Sequence, residues 1–203
     1  MTGAVKLALA LLLVAPQSFA MNNYDDPRVV LSYMDRSLSG ERDILRLTTT
    51  VVDDAYLVFE IKTRTPEGET HTHDYLLLEI SQGRSHQLLI PIDPELGDTV
   101  VDYESELAPS GKSRPLLGSS LGAGSGESAF RARRIPQGVE FRVPLAWIDY
   151  REKIAFDAYT IRGRPSEDHF DVEEVYDQAG KGQKEKRRFS PITLLNNLCA
   201  TRK

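Results

Sequence analysis

The chain has 203 residues, 25 of them basic and 30 acidic, with 40% hydrophobic residues and a single cysteine. That length suits one ordinary domain behind a short leader, and the acidic balance excludes a nucleic-acid-binding surface, whose phosphates call for a basic one. One cysteine excludes a disulfide framework, so the core alone has to hold the fold.

Residues 1–20 read as a secretory signal peptide. Lys6 gives the positive start, residues 7–15 form an apolar run, and Ser18 and Ala20 are the small residues before a cleavage point ahead of Met21. The run is far short of the roughly 20 residues that span a bilayer. No later segment is long and apolar enough to do so, so the expected mature chain has no integral membrane segment and is periplasmic or secreted. With Lys6 removed, 24 basic residues face 30 acidic ones, a net charge near −6.

From there the pattern is of strands. Residues 29–33 (Val-Val-Leu-Ser-Tyr) predict a short edge strand. Leu45, Leu47, Thr49 and Val51 alternate, and after Asp53-Asp54 so do Leu57, Phe59 and Ile61, with Glu60 and Lys62 facing the other way. A period of two predicts a hairpin with one buried and one wet face. Residues 75–80 (Tyr-Leu-Leu-Leu-Glu-Ile) are apolar on both faces, which predicts a central strand covered on both sides. Gln82-Gly83-Arg84-Ser85 predicts a turn into the next strand, which ends among Pro91 and Pro94. A further strand is expected over 100–104.

Residues 105–128 are rich in Gly, Ser and Pro and read as a long loop, either a mobile insertion or a binding loop. Strands resume at 130–135 and 139–143 around a Pro136-Gln137-Gly138 turn. A helical corner is expected at 144–148, a strand at 154–161 and another at 168–176. The basic run 181–188 leads to a short helix opened by Ser190 as N-cap and Pro191. These elements predict an all-β, antiparallel sandwich of jelly-roll or immunoglobulin-like type over 21–188, with a helix and tail at 189–203. Cys199 reads as a small apolar residue beside Leu194, Leu195 and Leu198.

The hairpin over 43–62 with its Asp54-Ala55-Tyr56-Leu57-Val58-Phe59-Glu60-Ile61 strand, the Gly138-Val139-Glu140-Phe141-Arg142-Val143-Pro144 strand, the strand at 154–161 and the segment 171–180 occur together in this order. In this the chain resembles the DOMON-like superfamily of extracellular β-sandwiches, which includes the family 9 carbohydrate-binding modules. The resemblance covers most of residues 25–180 and implies a jelly-roll-like sandwich that binds sugar or haem.

Sugar recognition needs aromatic faces and a few fixed polar groups; Tyr103, Trp147 and Tyr150 are the residues expected to supply a stacking surface, with Trp147 read first as a ring capping the core. A paired-tryptophan platform of the family 9 type cannot be built from one tryptophan. The resemblance implies a Met and a His for haem, for which Met34 and His86 are available, against a reading of Met34 as core filler and His86 as a strand surface residue. His71-Thr72-His73-Asp74 puts two imidazoles on one side of an extended segment, the start of a transition-metal site or simply a solvated loop. Asp168, Asp171, Glu173, Glu174 and Asp177 offer oxygen ligands to calcium, or protective charge on a sheet edge.

Gly118-Ser119-Ser120-Leu121-Gly122 matches the nucleophile-elbow spacing, but the Gly/Ser-rich sequence after it cannot start the helix that chemistry requires. The functional expectation is therefore a non-enzymatic binding protein of a bacterial-type cell envelope, recognising an oligosaccharide. Two alternatives stand beside it: an envelope assembly protein working by protein contact through an edge strand, and a haem-binding domain.

Overall fold

The computed structural model describes residues 26, 28–64, 73–106, 120–121, 124–125, 130–166, 169–181 and 188–195. The leader at 1–20, His71, Asp168, Cys199 and most of the 105–128 segment lie outside the described residues. The described residues form thirteen strands and one short α-helix: β1 Val29–Leu31, β2 Ile44–Val52, β3 Tyr56–Thr63, β4 Asp74–Gln82, β5 Arg84–Pro91, β6 Val101–Glu106, β7 Ser120–Leu121, β8 Gly124–Ser125, β9 Arg131–Ile135, β10 Gly138–Pro144, β11 Ile154–Pro165, β12 Phe170–Gln178, β13 Arg188–Phe189 and α1 Pro191–Leu195. They form two antiparallel sheets, so the all-β class expected from the alternation is the class observed. Sheet A runs β1-β2-β3-β10-β9, and sheet B runs β7-β12-β11-β4-β5-β6-β8 with β13 paired to β11.

Sheet A follows directly from the period of two. Leu47, Leu57, Phe59, Ile61, Val139, Phe141 and Val143 turn inward and are buried. They meet Leu76, Leu78, Ile80, Leu88, Ile90, Phe156 and Ala158 from one face of sheet B in the main core. The corner at Leu145–Trp147 is a short 3₁₀ turn, as expected there. Two tight turns carry residues other than glycine in the left-handed region: Asp53 and Asp54 between β2 and β3, and Gln137 between β9 and β10. Next to the second, Gly138 has φ +156°, and a Cβ there would sit 1.9 Å from the Ile61 carbonyl oxygen. Only glycine lets β10 start so close to β3.

Sheet B is not flat. Its outermost strands β7 and β8 stand six strand steps apart, roughly 29 Å in a flat sheet, yet Leu121 and Gly124 are three residues apart in the chain, a reach of at most about 11 Å. Leu121 pairs with Phe170 of β12 and Gly124 with Tyr103 of β6. The rings of Phe170 and Tyr103 approach to 5.8 Å across the sheet's width. Sheet B is therefore rolled, its two edges brought together at β7 and β8. The roll encloses a second cluster of Leu77, Leu89, Tyr103, Tyr159, Ile161, Phe170 and Val172. This explains how β4 is covered on both faces, as its apolar sequence predicts, although only one of them meets sheet A.

Candidate ligand-binding site

Register places a polar row inside the roll. Asp157 lies opposite Glu79, Glu79 opposite Gln87, and Gln87 opposite Tyr103, across β11, β4, β5 and β6. Directly opposed residues project to the same side of a sheet. The neighbouring row toward the β4–β5 turn is Ala155, Ser81 and Ser85, and the row on the other side is Tyr159, Leu77 and Leu89. The interior thus grades from hydroxyls, through carboxylates and amide, to aromatic and aliphatic groups.

All of these polar residues are buried, Glu79 at 4% exposure and Asp157 at 7%. Glu79 accepts from Ser85 Oγ at 3.2 Å, Ser85 accepts from Gln87 Nε2 at 3.1 Å, and the Ser81 and Ser85 hydroxyls are 3.2 Å apart. Asp157 accepts from the Tyr159 hydroxyl at 2.9 Å and from Gln178 Nε2 at 2.5 Å. Burial, reinforced by the Asp157 and Glu79 charges, pushes the Tyr159 phenol far above its ordinary range, so it remains a donor. Burial also raises Tyr103 and Tyr75. Setting two carboxylates directly opposite each other on neighbouring strands works against folding. Here the hydroxyl and amide donors of Ser85, Tyr159 and Gln178 hold the two acids in place.

The structure separates the residues expected to form one aromatic platform. Tyr103 faces the interior of the roll. Trp147 packs on the opposite side of sheet B, partly buried against the main core, with its ring edge-on to His86 at 5.0 Å and to Phe130 at 5.5 Å. Tyr150 is 48% exposed in the turn after that corner. The three do not make a common surface, because adjacent faces of one sheet point in opposite directions.

His86 is not the surface residue its strand position suggested: it is buried, with Nδ1 at 3.2 Å from both oxygens of Asp102. Met34 is exposed in the connection between β1 and β2 rather than filling the core. Among the described residues nothing brings this methionine and histidine to one cleft.

The residues proposed for metal also part company. His73 is exposed at the start of β4, while the adjacent Asp74 is buried and held by Arg42 at 2.6 Å, by the Tyr176 hydroxyl at 3.0 Å and by Arg162 at 3.5 Å. The Arg42 and Arg162 guanidiniums lie 4.3 and 5.5 Å from the centre of the Tyr176 ring. Burial, with the Asp74 carboxylate, pushes that phenol up to about 12. Asp171 is exposed beside His169. Asp177, six residues further along the same strand and so roughly 20 Å away, is buried, accepting from the Ile44 backbone N–H at 2.7 Å and lying 3.1 Å from Lys181. Asp171 and Asp177 therefore cannot share one ion. Among the described residues no group of three or more His, Cys, Asp or Glu is placed to hold a metal. What Asp74 and Asp177 do instead is clamp sheet A to sheet B.

The sequence held a signal for the buried row that alternation alone does not weigh: Glu79 and Asp157 are acids inside otherwise apolar strands, Tyr-Leu-Leu-Leu-Glu-Ile and Ile-Ala-Phe-Asp-Ala-Tyr. Their meeting side by side depends on register between strands far apart in the chain. No protein-family model, curated protein or solved structure matches this chain.

Proposed function

We propose that the chain is an exported, non-enzymatic binding protein of the cell envelope, and that the rolled sheet B holds a hydroxyl-rich ligand of the oligosaccharide class. The observation that carries this reading is the Asp157–Glu79–Gln87–Tyr103 row inside the roll. Carboxylates and side-chain amides accept and donate in the paired geometry that vicinal hydroxyls offer. The rings of Tyr103, Tyr75 and Phe170 beside them supply apolar faces for a sugar ring. Export is supported by the leader-like composition of residues 1–20.

The test is thermal unfolding of residues 21–203 against envelope and plant-type oligosaccharides, calcium and haem. A ligand at about 100 times its dissociation constant adds ~2.7 kcal/mol, a rise of roughly 5–10 °C for a domain of this size. The expected result is a shift with an oligosaccharide that disappears in Glu79→Gln and persists in Trp147→Ala, since that ring lies on the other side of the sheet. A shift with calcium or haem alone, or a sugar shift lost in Trp147→Ala and kept in Glu79→Gln, overturns the reading.

A further inference from the structure

The two edges of sheet A are built differently. β9, at one edge, carries Arg131, Arg133 and Arg134, the kind of charge that discourages another strand from adding on. β1, at the other edge, reads Val-Val-Leu with no charge. It is followed by Tyr33 and Met34, which with Leu31 are exposed at 79%, 52% and 39%. Three large apolar side chains within four residues thus stand at an edge that has no neighbour among the described residues.

The backbone of this edge can be worked through group by group. Val29 pairs with Thr48, Val30 with Leu47 and Leu31 with Arg46. The flanking bonds run from Thr49 N–H to the Arg28 carbonyl and from Ser32 N–H to the Leu45 carbonyl. In an antiparallel ladder that phase directs the backbone groups of Val30 toward β2 and those of Val29, Leu31 and Tyr33 outward. Of the outward groups, Val29 N–H is bonded to the Asp26 carbonyl and the Tyr33 carbonyl accepts from Lys181. Among the described residues four remain for a new strand: the Val29 carbonyl, both groups of Leu31, and Tyr33 N–H.

That set is its own complement. If a second β1 runs antiparallel with Leu31 facing Leu31 of the other copy, each Leu31 N–H meets the other's carbonyl, and each Tyr33 N–H meets the other's Val29 carbonyl. The two groups already engaged, Val29 N–H and the Tyr33 carbonyl, are the pair that this register would set against each other at the ends, so nothing available is left over. The same register lays Val29, Leu31 and Tyr33 of both copies along one face. From this self-complementarity we propose that β1 is a homodimer interface, joining two copies through a two-fold axis at Leu31 into a continuous sheet A.

The experiment uses residues 21–203 carrying Cys199→Ser, so that the only thiol is the one introduced. Residues in a hydrogen-bonded antiparallel pair have Cα atoms about 5.5 Å apart, within disulfide reach. Leu31→Cys should therefore give a disulfide-linked dimer under mild oxidation, while Thr50→Cys, on the same sheet face but away from the edge, should not. By sedimentation the parent protein should be dimeric at high concentration. Leu31→Pro removes only an outward N–H and keeps the β1–β2 bonds; it should sediment as a monomer with unchanged circular dichroism. Leu31→Lys should do the same. A parent protein that stays monomeric at every concentration, a dimer that survives both Leu31 substitutions, or equal cross-linking at residues 31 and 50 overturns the proposal.

Discussion

Asp177 shows how one side chain can act against itself. Its carboxyl is pushed above the usual aspartate range because burial outweighs the Ile44 and Gln178 N–H groups and Lys181 that favour its charge. Lys181, less enclosed, is raised because its bonds to Asp177 and Asp43 outweigh its own partial burial. The two members of the pair thus differ in what dominates them, and the acid is the one that the fold disfavours in its charged form. A folded-state value above the unfolded one means the group helps stability at low pH and withdraws that help as the pH rises through the folded value. Urea unfolding of Asp177→Asn beside the parent should therefore show the stability difference moving in the variant's favour from about pH 3 to pH 6. A difference that is flat, or that moves the other way, contradicts this account. The strand expected over 168–176 stops one residue short of Asp177, which β12 includes, and nothing local shows that it is buried, because the partner that buries it, the start of β2, is 133 residues away.

At the level of elements, sequence and structure agree where the reason is local. Alternating side chains located β2, β3, β10 and β11, the turn at Gln82–Ser85 and the prolines Pro91 and Pro94 bounded β5, and an apolar run with both faces filled located β4. The corner at 145–147 and the turn at Pro136-Gln137 follow from backbone chemistry that the residues themselves declare. What was not legible is how strands meet. β12 begins at Phe170 and breaks register twice against β11, between Thr160 and Ile161 and between Arg162 and Gly163. Those irregularities let β12 press onto β11 at Gly163, where a Cβ would come within 2.3 Å of the Phe170 ring and 2.4 Å of the Asp171 carbonyl oxygen. Gly163→Ala should accordingly lower stability by about 1–3 kcal/mol, read as a shift of the urea midpoint at constant slope. A neutral result would mean that β12 is free to move away from β11.

For the whole molecule, the rolled sheet B determines which residues can work together. Tyr103, Trp147 and Tyr150 are near neighbours in composition and purpose when read along the chain, yet the sheet puts two of them on opposite faces and the third in a turn. Glu79 and Asp157 stand out only as acids in apolar strands, and their alignment with Gln87 comes from the register of three strands. The same roll makes Tyr103 and Phe170 partners across the seam. Each ring truncated to alanine should cost roughly 3–5 kcal/mol, and the double variant should fall short of the sum by about 0.5–1.5 kcal/mol, the coupling of an aromatic pair. Strict additivity by denaturant unfolding would mean that the edges do not meet.

Closure of that roll also fixes an order of events. A chain made from its N-terminus completes sheet A at β10, by residue 144, so that sheet is able to form before the last quarter of the polypeptide exists. Sheet B cannot: its edges meet only through β12, and the Asp43–Lys181 contact that ties the layers together spans 138 residues. Until β12 arrives, Leu77 and Leu89 on β4 and β5 lack the Phe170 and Val172 side chains that complete their cluster, leaving an open sheet with a sticky interior and two unpaired margins. Long-range closure of this kind is slow, on the order of milliseconds to seconds. The incomplete chain is therefore the form most exposed to aggregation, and holding it apart until residue 178 has been delivered is the task the fold leaves to whatever conveys it.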